Sequence, residues 1–397
     1  MKILVMHQVP YRKIQYHLGI DHTAHEVCYF GAPADLEQLP EDLPARRVAL
    51  RGPEPLAQQI IAATSREEGF DQVLALSEFG ILEAAAIREH LGIPGPSAAK
   101  LELIRDKVAM KAALAEAGVP HPRYVAAPAV CRGLPWTGRT VVKPRRGASS
   151  EGVSIHEDAR AALEHYWSLP DHADYELEEF VEGTLHHADA VVDGGLVHGL
   201  VVSRYIGNPA GFAVGAPVAT SQLPHEPRYA AFADDCVAAL GITAGCIHLE
   251  FFETADGRLV FLEIANRVGG AGIIDAHLRH TGIHLPSHEI AVRLGLPRPL
   301  PGRPSGRYHG FALFPGHQLP DPENWEVDLP RELRAHPCVD HIHTPPREAE
   351  QSAKITYQEW LVPMFIEASD ADPRAIAEFL HGCQERMRLR QIERAHG

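Results

Sequence analysis

Over its first hundred residues the sequence alternates between strand and helix, and no other feature limits the fold as tightly. KILVMHQ reads as a strand and DQVLALS as a buried one. PLAQQIIAATSREEG reads as an amphipathic helix closed by Gly69, and FGILEAAAIREHLG as a helix that stops at Gly92, before Pro94 and Pro96. Strands joined through helices run parallel, because a parallel neighbour is reached only by a long right-handed crossover. Residues 1–100 are therefore expected to form a small, doubly wound parallel sheet. Ligands of such sheets bind past the strand C-termini, which puts Ser77 and Glu78 at a functional edge. Glu78 equally suits the start of the following helix, where a carboxylate meets the helix dipole.

The pattern changes after the IPGPSAAK linker. RDKVAMKAALAEAG reads as a helix, and a mixed region follows: strand RTVVKP, loop RRGASSEG, strand VSI, helix DARAALEHYWS and strand YELEEFV. DAVVDGGLVHGLVVSRYI reads as a hairpin turning at Gly194-Gly195. The division expected is 1–100, then a small lobe at 101–185, then a large lobe with a C-terminal extension at 186–397. The fold class is α/β, with α+β character in the second and third parts.

Composition narrows the function. A formal charge of −15 argues against a broad nucleic-acid surface, and no apolar run is long enough to span a membrane. The N-terminus has no signal-peptide pattern and the cysteines form no CxxC pair, so free thiols in the cytoplasm are expected. Cys338, His341 and His343 lack a partner pair at zinc spacing.

HLEFFETADGRLVFLEIANRVGG, from His248 to Gly270, reads as two strands joined by Asp256-Gly257. With those two residues as the loop, Ala255 pairs with Arg258 and, five steps on, Glu250 faces Glu263. Phe252 would then face Phe261 on the same side, and Glu253 would project to the other. Like charges opposed across a strand pair destabilise it. Either they share a proton, or a cation lies between them, or the register slips and both stand in solvent. A donor set of oxygens alone favours Mg²⁺, which takes one or two carboxylates plus substrate phosphates.

Two further stretches bear on that choice. VVKPRRGASSEGVSI sets Lys143 at a strand end before a Gly/Ser loop, residues 147–152. Glycines let backbone N–H groups approach phosphate oxygens and a lysine adds charge, although such a loop alone is most often a turn. It is neither a Walker A loop nor GxGxxG. LEEFVEG reads as a strand running into Gly183, and Glu179 C=O with Val181 N–H offer the acceptor and donor that an adenine edge requires.

RDKVAMKAALAEAGVPHPRY, VVKPRRGASSEGV, LEEFVEG and HLEFF…DGRLVFLEIANRVGG, in this order and spacing, resemble the ATP-grasp superfamily, and within it the carboxylate–amine ligases that make dipeptides and related amides. The resemblance covers roughly residues 70–300 and implies an ATP-grasp fold behind the N-terminal parallel-sheet domain. It implies that Lys107 and Lys143 contact nucleotide phosphates and that loop residues Ser149, Ser150 and Gly152 close over them. Glu178, Glu179 and Val181 match the adenine hinge, with Glu182 at the ribose. Glu250 and Glu263 match carboxylates that bridge two Mg²⁺ ions, with Mn²⁺ as a substitute, and Arg267 matches the arginine that steadies the acyl phosphate.

The sequence departs from the family pattern twice. Ala265 stands where a further metal ligand is usual, leaving Asn266, one residue on, as the candidate. Leu185 stands where an acidic residue is usual, leaving His186, His187 and Asp189 as substitutes, of which His187 is taken as ATP-binding. Glu78, Arg204 and Arg267 are the substrate candidates; Tyr205 joins Arg204 just before a glycine-rich lid segment at 207–217, where both could meet substrate or equally form an ordinary exposed strand end. The expectation is an ATP-dependent ligase of small carboxylates and amines, releasing ADP and phosphate, and a homodimer by resemblance. The alternatives are an ATP-grasp carboxylase of the biotin-carboxylase type and a nucleotide-binding protein without turnover.

Overall fold

The computed structural model describes residues 1–148, 150–316, 319, 324–344 and 364–391. Ser149 lies outside the described residues, as do the first residues of the WLVPMFIEAS stretch.

The first sheet is parallel, as the alternation requires, with strands in the order Arg46–Ala49, Glu26–Gly31, Lys2–Met6, Gln72–Ala75. Ser77 and Glu78 follow directly on the C-terminal end of Gln72–Ala75, before the Gly80–Leu91 helix. A second, antiparallel sheet holds Tyr124–Ala126, Tyr175–Glu179, Thr140–Pro144 and Ser154–His156, backed by the Ala159–Ser168 helix.

Among the described residues the largest sheet has eight strands, beginning Leu259–Ala265, Ala244–Glu253, Thr184–Asp193, Leu196–Ile206, Val218–Gln222 and Tyr308–Phe314. Strand alternation divides its residues between two faces. Ala188, Ala190, Leu249 and Phe251 pack into a core against Tyr229, Phe232 and Cys236 of the Pro227–Ala239 helix. Their neighbours His187, Asp189, His248 and Glu250 are left for the opposite face, together with Tyr205 and Thr220. The turn at Gly194-Gly195 forms as expected, with φ of 60° and 83° and Leu196 opposite Asp193.

The Asp256-Gly257 hairpin reaches its register by a different route. Glu253 pairs with Leu259, and Thr254 N–H donates to Arg258 C=O at 3.0 Å, so the loop is three residues long with Gly257 at φ 81°. That slides the pairing by one position. Phe251, and not Phe252, faces Phe261, and both are buried. A bulge at Leu262 then restores the offset and sets Glu250 opposite Glu263. The bulge also flips the face, so Phe261 points into the core while Glu263 points out of it.

Among the described residues no helix is long and apolar enough to cross a membrane.

Candidate functional site

Two cavities meet at the opposed glutamates. One, of about 300 Å³, lies between the second sheet and the largest one. Lys107, Lys143, Ser150, the stretch from Glu178 to Leu185, Phe252, Leu262, Glu250 and Glu263 all line it. The other, of about 330 Å³, runs from Glu250 and Glu263 past Tyr205 and His248 to Arg267, Glu78 and the end of the first sheet. Ser150, Tyr205, Pro209, Glu250 and Glu263 belong to both walls.

Cations occupy the first cavity's inner end. Lys107 opens the Lys107–Glu116 helix, and its Nζ lies 3.0 Å from Glu263 Oε2 and donates to Gly147 C=O at 3.0 Å. Burial opposes ionisation of Glu263, but Lys107 and Lys143 outweigh it and hold its pKa below the usual value. Lys143 Nζ contacts Glu178 Oε2 at 2.8 Å. Burial opposes its charge too, and Glu178 with Glu176 holds the ammonium above its ordinary pKa.

Beneath Lys143 lies a residue the sequence reading passed over. Lys111, one helical turn after Lys107, is fully buried, with Nζ 2.8 Å from Glu176 Oε1 and 2.5 Å from Glu178 Oε1. Two ammoniums and two carboxylates thus form a buried quartet. Burial would raise the Glu178 pKa, yet Lys111 and Lys143 hold it at about 2, while burial and Glu178 push Glu176 up.

The hinge residues end the second sheet's Tyr175–Glu179 strand. Glu179 N–H donates to Arg123 C=O at 2.9 Å and Phe180 N–H to Arg139 C=O at 3.0 Å. Glu182 is exposed at the mouth and pairs with Arg139 at 3.0 Å. A Cβ on Gly183 would come within 2.8 Å of Glu253 C=O, so a glycine lets the hinge chain lie against the largest sheet. If this cavity takes ATP, as the resemblance implies, Gly183→Ala is expected to weaken binding of a non-hydrolysable ATP analogue by about tenfold. Calorimetric titration measures it, and an unchanged affinity would show that the hinge tolerates displacement.

In the second cavity Glu78 grips two arginines. Arg267 Nε lies 2.5 Å from Glu78 Oε2, and Arg105 takes the other oxygen. Glu250 accepts from Tyr205 O–H at 2.7 Å, and His248 Nε2 lies 3.5 Å from it. Behind them His248 Nδ1 donates to Asp189 Oδ1 at 2.9 Å, and His187 Nδ1 lies 2.6 Å from Asp189 Oδ2. Burial disfavours the His248 charge, but Asp189 and then Glu250 raise its pKa to about 10. The ligand atoms of His187, Asp189 and His248 lie within 4.8 Å of one another, and the short hydrogen bonds among them make this an ionic brace behind Glu250.

Four sequence expectations change here. His187 lines the second cavity, not the one reached by the hinge, and bonds Thr220 at 2.7 Å. Arg204 pairs with His186, whose ring stacks on Phe251, so of the two candidates strand alternation leaves only Tyr205 in the site. Asn266 points away from the glutamates and donates to Ala244 and Cys246 C=O at 3.2 and 2.8 Å. Gly152 shapes the loop, at φ 70°, without lining either cavity.

A family model described as an ATP-grasp domain matches residues 104–271, which include Lys107, Lys143, the hinge, both glutamates and Arg267. Residues 104–271 are thus similar to an ATP-grasp domain. The fold around that domain is shared more widely. An L-amino acid ligase from Bacillus licheniformis superposes with a TM-score of 0.70 at 21% identity, covering 99% of this chain and 98% of that one. N5-carboxyaminoimidazole ribonucleotide synthetase from Thermotoga maritima gives 0.65 at 18% identity, covering 99% of both chains. In sequence, the L-arginine-specific L-amino acid ligase of Bacillus subtilis is 27% identical over 226 residues, 51% of this chain and 53% of its own. Human carnosine synthase 1 is 32% identical over 188 residues, 43% of this chain and 22% of its own. The matches thus span about half, or less, of those curated relatives.

Proposed function

We propose that this chain is an ATP-dependent carboxylate–amine ligase that joins an amino acid to a small carboxylate or a second amino acid. One observation carries the reading: a hinge-lined cavity and an arginine-lined cavity open onto each other at a facing pair of carboxylates. The first suits ATP, with adenine against Glu179 and Val181, ribose near Glu182 and phosphates toward Lys107, Lys143 and Ser150. The second suits the carboxylate and amine substrates, beside Arg267 and Glu78. The named activities of the ligase relatives support the same chemistry.

The oxygen-only pair Glu250 and Glu263, now engaged by a hydroxyl and an ammonium, fits a hard cation, so these two residues would hold Mg²⁺. When bound, it supplies charge neutralisation at the ATP phosphates, and two ions, or Mn²⁺ in their place, suit the same pair. The substrate carboxylate attacks the γ-phosphorus, forming an acyl phosphate and releasing ADP. Lys107 and Lys143 offset the charge of the transferring group, a reaction that asks for positioning and electrostatics more than covalent help. The amine then attacks the acyl carbon, phosphate leaves, and a proton is lost from nitrogen. Arg267, held by Glu78, faces the negative charge that develops on the acyl oxygen. Acyl phosphates hydrolyse in water, so the 147–152 loop and the 207–217 segment act as lids, with Gly147, Ala148, Ser150 and Glu151 of the first and Gly207 to Ala210 of the second lining the first cavity. In this reading the protein works in the cytoplasm, where ATP and Mg²⁺ are supplied.

Incubation with ATP, Mg²⁺ and a pooled set of amino acids and small carboxylates, followed by mass spectrometry, tests the proposal. New amides with equimolar ADP and phosphate are expected. AMP and pyrophosphate would overturn the acyl-phosphate route, bicarbonate-dependent carboxylation would replace the ligase reading, and nucleotide binding without turnover would overturn catalysis.

A further inference from the structure

A third cavity, of about 280 Å³, lies beside Asn266, between the first sheet and the turn after the Pro227–Ala239 helix. Its walls are largely apolar, with Val73, Ile81, Leu101 and Ile104 among them. Three cations reach it, Arg88, Lys100 and Arg293, and no aspartate or glutamate lines it. That is a marked local inversion in a chain whose formal charge is −15.

One of these cations is also poorly satisfied. Arg88, from the Gly80–Leu91 helix, donates from Nη2 to Pro96 C=O at 3.2 Å, but its buried Nε has no hydrogen-bond partner. A Cβ on Gly95 would lie 2.6 Å from that Nε, so the 94–96 turn packs directly on the guanidinium. Among the described residues no ion pair engages Arg88 or Lys100. Burial and then the like charge of Arg293 lower the Arg88 pKa. Arg293 is paired with Glu289 at 2.7 Å, and it also donates to Asn266 C=O at 2.7 Å. A desolvated guanidinium without an acceptor is costly, and an anionic head group supplies both the acceptor and the charge it lacks.

We propose that this cavity binds a small organic anion, a carboxylate or phosphate head on a compact apolar body, held by Arg88, Arg293 and Lys100. The volume sits at the lower end for small-molecule pockets, about 300 Å³, and so favours an aromatic or short branched molecule over a nucleotide. The site is separate from the proposed ligase centre and stands whether or not that reading does. Arg293 nevertheless ties it to the backbone one residue before Arg267.

Calorimetric titration of the full chain with benzoate, hexanoate and phenyl phosphate tests the site, with benzamide as the neutral match for benzoate. At least one anion is expected to bind saturably at one equivalent, and benzamide about tenfold more weakly than benzoate or not at all. The preferred head group distinguishes carboxylate from phosphate. Arg88→Gln is expected to weaken binding by about tenfold and Lys100→Gln by about threefold, with affinity for an ATP analogue unchanged in both. The proposal is overturned if none of the three anions binds saturably, if the ATP analogue competes with the anion, or if both variants bind as the unaltered protein does. Should Arg88→Gln not fold, unaltered binding in Lys100→Gln, at the exposed mouth, is enough to overturn it.

Discussion

Glu263→Gln is expected to lower ATP-dependent product formation by about a thousandfold, on the scale of the several kcal/mol that metal-assisted charge stabilisation contributes. The substitution keeps the side chain's shape. An amide can still meet Lys107, which now sits 3.0 Å from the carboxylate, but it brings no charge to share with Glu250. Glu253→Gln is the control. Glu253 lies on the facing strand, three residues after Glu250, and points to the other face, where Arg228 and Tyr229 hold it at 2.8 and 2.9 Å. Its loss should change turnover by less than about threefold, as for a partly exposed surface pair. ADP release at saturating substrate and Mg²⁺ gives the comparison, with thermal unfolding as the check on folding. If Glu263→Gln keeps more than about a tenth of the activity, the metal assignment fails; equal losses in both variants would point to damage to the strand pair instead.

Local patterns were legible in the sequence, and contacts that depend on how distant elements meet were not. The parallel first sheet and the Gly194-Gly195 turn follow from period and turn chemistry, and both formed. Glu250 does face Glu263, though the inferred route was wrong. A longer loop and a bulge at Leu262 shift the register in opposite senses, and no residue in the stretch announces a bulge. The same one-residue alternation separates the two candidates Arg204 and Tyr205, since neighbours on a strand face opposite sides and only Tyr205 lines the site. Asp189 and His248 lie directly across from each other on adjacent strands, a pairing invisible until the strand order is known. Lys111 had a signal that went unused. It lies four residues after Lys107, on the same face of one helix, so a phosphate-facing lysine implied that its successor was turned inward too.

That buried lysine carries the largest expected effect on stability. Lys111→Met should cost about 3–5 kcal/mol, the range for breaking a buried ion pair by removing one partner. Methionine fills most of the volume, so the loss is electrostatic: Glu176 and Glu178 are left sharing the ammonium of Lys143. The pH dependence identifies the cause. Glu176 already has its pKa raised above 4.5 by burial and by Glu178, and Lys111 is the first of the groups that oppose the rise. Without Lys111 the rise grows. A carboxyl whose folded pKa is raised contributes stability that is present below the unfolded value and lost as pH rises through the folded one. The variant's deficit should therefore shrink as pH falls from 7 toward 4.5. In the unaltered protein Glu178 works in the opposite sense, contributing stability above its unfolded value that is lost only as pH falls toward about 2. Adding Glu176→Gln to Lys111→Met leaves one carboxylate facing one ammonium and should recover at least about half of the loss. Urea unfolding of the unaltered, single and double variants at two pH values decides the matter. A single-variant deficit that is the same at both pH values, with no recovery in the double variant, would mean that the loss is one of packing and that the quartet's charges are not what Lys111 balances.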